Sequence, residues 1–95
     1  MNIESSSNTI TITGNIKSIA DFSQIKSKTD SLVILNKDIV VTIVNSLSIT
    51  SSVIGYFNKI ILKDGVNVQM RVGNDQLLSL IDDLNLVSTF NARKM

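Results

Sequence analysis

Period-two and helical stretches alternate along this chain and divide it into elements. Thr9–Thr13 (TITIT) alternates strictly, with Ile10 and Ile12 on one side and threonines on the other, which predicts a half-buried strand. The turn-like cluster Ser5-Ser6-Ser7-Asn8 precedes it, so Asn2–Glu4 is expected as a short partner strand, and Gly14-Asn15 ends it. Ser18 followed by Asp21 has the spacing of a capping box and predicts a helix start. Ile19, Phe22 and Ile25 are expected on its buried face, and the polar run Lys26–Asp30 breaks the pattern. Leu32–Leu35 is a short strand or an apolar loop over the core.

After the turn signal Asn36-Lys37-Asp38, the apolar run Ile39–Val44 predicts a buried strand. A short polar step leads to Ser51 and Ser52, which stand directly before a helical stripe of Val53, Phe57 and Ile60, widened by Ile54 and Ile61. Tyr56 falls with the core by its spacing, and Asp64-Gly65 stops the helix with glycine in the left-handed conformation. Val66–Val72 alternates without exception. Asn74 caps a last amphipathic helix through Leu77, Leu80, Ile81 and Leu84, which Asn85 ends. Leu86, Val87 and Phe90 form a final extended or helical segment, and Arg93–Lys94 are expected as a solvated tail.

Strand–helix–strand order demands right-handed crossovers and largely parallel pairing. The expected fold class is therefore α/β. One domain spans residues 1–95, with a mixed four- to five-stranded sheet and helices packed mainly on one face. Only three Phe and one Tyr are present, so the core is aliphatic.

Composition narrows the chemistry. The chain has neither Cys nor His, which removes thiol nucleophiles, disulfides, the usual zinc ligands and the usual general base. No metal or cofactor is expected, and no enzymatic activity. Asp82 and Asp83 are adjacent on a helix and diverge by about 100°, so they make a solvated face and not an acid–base pair. The net charge of +1 has no basic stripe behind it, which argues against nucleic acid. The N-terminal stretch lacks the pattern of a signal peptide, and the apolar runs fall far short of the ~20 residues of a membrane span. A cytoplasmic protein is expected.

The remaining chemistry lies at Ile39–Gly55. Hydroxyls at a helix N-terminus shortly after a strand meet free backbone N–H groups and the positive end of the helix dipole, an environment suited to a phosphoryl group. Ser51 and Ser52 also serve as ordinary helix caps in the plainer reading.

The ordered series Ile10-Thr11-Ile12-Thr13-Gly14, Ile39–Val44, Thr50-Ser51-Ser52-Val53-Ile54-Gly55, Asp64-Gly65, and Leu84-Asn85-Leu86 through Phe90 resembles the STAS domain of anti-sigma factor antagonists. The likeness covers nearly the whole chain. It implies a regulatory protein-binding module in which a partner, an anti-sigma factor or a serine kinase-like protein, docks on the loop and following helix. The residues implied at that contact are Thr50, Ser51, Ser52, Val53, Gly55 and Lys59. Ser52, with Ser51 beside it, corresponds to the family's phosphorylated serine. Two positions depart from the family's Asp-Ser-Ser-Gly: Thr50 replaces Asp and Val53 replaces Gly. These departures favour an alternative, a constitutive, unphosphorylated STAS-like subunit of a transporter or signalling complex.

Overall fold

The period-two stretches become strands whose apolar members all face one way. The computed structural model describes residues 1–95. It contains strands β1 (Asn2–Ser6), β2 (Thr9–Thr13), β3 (Asp38–Ile43), β4 (Asn67–Val72) and β5 (Arg93–Lys94). The helices are α1 (Ile19–Leu35), α2 (Ser51–Leu62), α3 (Asp75–Asp83) and α4 (Val87–Phe90). The five strands form one mixed sheet in the order β1-β2-β3-β4-β5. β1 runs antiparallel to β2, and every other pair is parallel.

Register aligns the apolar positions across the sheet. Ile10, Val41 and Met70 form one row and Ile12, Ile43 and Val72 the next, all buried. The intervening rows, Thr9-Val40-Gln69 and Thr11-Thr42-Arg71, lie on the opposite face and are half-buried or exposed. The helices supply Ile25, Val53, Phe57, Ile60, Leu77, Ile81 and Phe90 to the same core. All four aromatic rings form a chain of edge-to-face contacts, Phe22–Tyr56–Phe57–Phe90, with centroids 5.5–6.4 Å apart. No helix is long and apolar enough to cross a membrane.

Local capping signals act as their chemistry dictates. Ser18 and Asp21 make the reciprocal capping box of α1, and Asn74 accepts from the amides of Gln76 and Leu77 at the start of α3. Gly65 and Asn85 adopt the left-handed conformation at φ 68° and 59°.

Three expectations fail in α1 and at the C-terminal strand. First, α1 is one 17-residue helix that runs through Lys26–Asp30, and Leu32–Leu35 is its last turn, neither strand nor loop. Thr29 sits in the buried stripe between Ile25 and the half-buried Leu32 and Val33, so the core face is continuous even though one member is polar. Lys26 and Asp30 pair along the helix at 2.8 Å. Second, Ile19 is 85% exposed and does not share the face of Ile25. Steps of three residues turn about 300°, so two of them displace a side chain by roughly 120° around the helix. Third, Arg93–Lys94 form β5 beside Arg71 and Val72, though their side chains remain exposed. Lys94 is pinned to Asp75 at 3.1 Å.

Candidate functional site

β2 and β3 are parallel neighbours, so the loops leaving their C-terminal ends emerge side by side. Buried Ile16 anchors the first loop in the core, and buried Ile49 anchors the second. Between them runs a set of side-chain-to-backbone bonds. The Gly14 amide donates to Asn45 Oδ1 at 2.7 Å, and the Leu47 amide donates to Asn15 Oδ1 at 3.0 Å. The Ile16 amide donates to Ser46 Oγ at 3.0 Å, and that hydroxyl donates onward to the Ser48 carbonyl at 2.7 Å. Ser46 is completely buried. Both loops lie at the surface and lack ladder hydrogen bonds, so these crosslinks fix where α1 and α2 begin.

The two helix N-termini consequently flank a shallow cleft of about 110 Å³, lined by Lys17, Ser18, Ile19, Phe22, Thr50 and Ser52. Their electrostatics differ. At α1, the Asp21 carboxylate accepts from the Lys17 and Ser18 amides at 3.0 and 3.1 Å. The Lys17 amide bond is the main cause that holds the Asp21 carboxyl below its ordinary value. The positive end of that helix already carries its own anion. At α2, the first turn contains no acidic residue. Its cap is the neutral Thr50, whose hydroxyl accepts from the Val53 amide at 3.3 Å. That helix start has no carboxylate of its own to balance its dipole.

The cap therefore falls on Thr50, one residue ahead of the serine pair. Ser51 and Ser52 occupy the first two helical positions with exposed side chains. Gly55 and Lys59 are also exposed, and with Ser52 they stand at i, i+3 and i+7 on one stripe of α2. Lys59 pairs with Asp64 at 3.4 Å. Val53 is completely buried and belongs to the core, which removes it as a contact residue. The cleft holds no thiol and no imidazole, since the chain has neither Cys nor His, and no cluster of three metal-binding side chains occurs in the fold.

Ile19, 85% exposed, lines the cleft. Leu47, 46% exposed, lies on the loop whose amide Asn15 holds. Neither emerged from the sequence as a site residue, nor did Asn15, Asn45 and Ser46. The one available signal was the polar step after β3, whose partners lie some thirty residues away in the chain.

Behind the rim, Tyr56 ties α2 to α1. Its hydroxyl donates to Asp30 Oδ1 at 2.6 Å. Burial, and then the Asp30 carboxylate, hold the phenol far above its ordinary pKa. Burial pushes Asp30 upward, but the hydrogen bonds from Lys26 and Tyr56 outweigh it and leave the carboxyl below its usual value.

The most voluminous cleft, about 430 Å³, lies against α3 and α4 and is lined by Asp75, Leu78, Ser79, Asp82, Val87 and Ala92. It gathers none of the sequence-predicted site residues. No protein-family model, curated protein or solved structure matches the chain.

Proposed function

We propose that this chain is a STAS-type regulatory protein-binding module that docks a partner protein on the rim formed by the starts of α1 and α2. The partner is of the anti-sigma factor or serine kinase type, the setting is cytoplasmic, and Ser52 is the residue whose phosphorylation reverses docking. One observation carries the reading: two exposed hydroxyls stand at a helix start with no acid of its own, next to an exposed Ile19. The order of elements and the resemblance of the Thr50–Gly55 segment to the family motif support it further.

Apolar groups held rigidly beside polar ones are what a protein interface needs at its centre. A phosphate on Ser52 adds about −1.5 to −2 charges, which the α2 dipole accommodates. The fold therefore survives modification, and the effect falls on the partner, whose apolar contact with Ile19 and Leu47 would require desolvating the new charge.

A second reading keeps the fold and the rim but drops the switch. The loop carries Thr50 where the family has an acid, which favours a constitutive assembly subunit. Ser52→Asp separates the two. Under the switch, the substitution weakens partner capture while the melting temperature stays within about 2 °C of wild type, as expected for an exposed surface position. Unchanged capture by Ser52→Asp rejects the switch and leaves the assembly subunit.

A further inference from the structure

β1 has β2 on one side only, so alternate backbone N–H and C=O groups along its five residues face outward. The other sheet edge, β5, is two residues long. α1 overhangs the β1 edge and leaves a notch of about 270 Å³, lined by Ile3 of β1 and by Ser23, Gln24, Ser27 and Lys28 of α1. Ser23, Ser27 and Ser31 recur at i, i+4 and i+8, so the helix wall is low enough for another backbone to approach. Ile34 and Leu35 stand seven residues beyond Ser27 and Lys28, two turns along the same face. They are 80% and 84% exposed.

We infer that the free edge of β1 and the overhanging face of α1 form a docking groove for an extended segment of another protein, which adds as a sixth strand. Main-chain bonds to β1 supply the ladder, and side chains of one parity enter the notch beneath α1. The charges define the segment. Lys28 in the notch takes a carboxylate, and Ile3, Ile34 and Leu35 take apolar side chains on the same parity. Glu4 pairs in register with Thr11 on the opposite sheet face, so the other parity carries a basic residue. Pairing with a second copy of this chain in the register symmetric about Glu4 would set two carboxylates opposite one another. This groove does not depend on the function proposed for the α2 rim.

The test is selection of displayed random peptides against the full chain, followed by amide shift mapping with synthesised winners. The groove predicts enriched peptides of alternating character, with shifts confined to Asn2–Ser6 and Ser23–Leu35. Ser27→Arg fills the notch and Lys28→Glu reverses its charge; each should weaken the winners about tenfold, and so should N-methylation of alternate peptide amides. Both substitutions are on an exposed helix face, and unchanged melting temperatures verify their folds. Failure to enrich any peptide, shifts confined to the α2 rim, or binding indifferent to both variants would overturn the inference. A dimer that seals the β1 edge in solution would overturn it too.

Discussion

Ser46→Ala removes the hydroxyl that joins the two loops of the candidate site. In the folded chain, that hydroxyl accepts from the Ile16 amide and donates to the Ser48 carbonyl. Ile16 and Ser46 are both completely buried, so the orphaned amide has no water to turn to. Leaving a buried donor unpaired costs about 1–3 kcal/mol. Ser48 is exposed and its carbonyl can be rehydrated, so the second bond adds only about 0.5–1.5 kcal/mol. The expected loss is then about 2–4 kcal/mol, a large part of the stability of a small domain. At about 4–8 °C per kcal/mol, the melting temperature should fall by roughly 10 °C or more. Urea unfolding measures the effect directly, with an unchanged slope showing that both states keep their compactness. Ser51→Ala is the control, because that hydroxyl is exposed and outside the crosslinks; it should change stability by under about 0.5 kcal/mol. If Ser46→Ala is as mild as Ser51→Ala, the loops are not held by this hydroxyl and the account of how the rim is built fails.

Gly73→Ala should destabilise by more than about 2 kcal/mol, because the added methyl would press into the Val44 carbonyl where β3 and β4 end; a mild effect in urea unfolding would mean that this close approach relaxes easily. For acid stability the sign follows from Asp30, whose folded pKa is depressed. Its contribution is present above the unfolded value near 4 and is lost as pH falls through the lower folded value. Asp30→Asn should therefore flatten the loss of stability as pH falls below about 4, by no more than about 1 kcal/mol since the side chain is half exposed. An acid limb identical to wild type would refute that role.

The parts of this fold legible in the sequence are those set by nearby residues. Val66–Val72 alternates because each side chain meets the core or water directly, and the caps at Ser18, Asn74 and Gly65 depend on two or three neighbours. The length of α1 was hidden by Thr29, a polar residue inside an apolar stripe. The α2 cap is ambiguous from sequence because Thr50, Ser51 and Ser52 all carry hydroxyls, and only the extended backbone at Thr50 selects one of them. β5 has two residues and no period to detect. The site itself was half legible: the exposed serines follow from the strand-to-helix junction. The bonds that place them, Asn15 to Leu47 and Ser46 to Ile16, join residues about thirty positions apart, and no local pattern encodes such pairs.

The most direct test of the docking rim is a photoreactive side chain at position 19, introduced into the full chain in its native cells. Ile19 is exposed and lines the cleft with Ser52, so the replacement leaves the core untouched. A docking rim at the starts of α1 and α2 predicts a discrete crosslinked protein adduct at position 19, none with the probe at Gln69 on the opposite sheet face, and loss of the adduct when Ser52→Asp is added. No adduct at position 19, or one equally strong in the Ser52→Asp background, would contradict it.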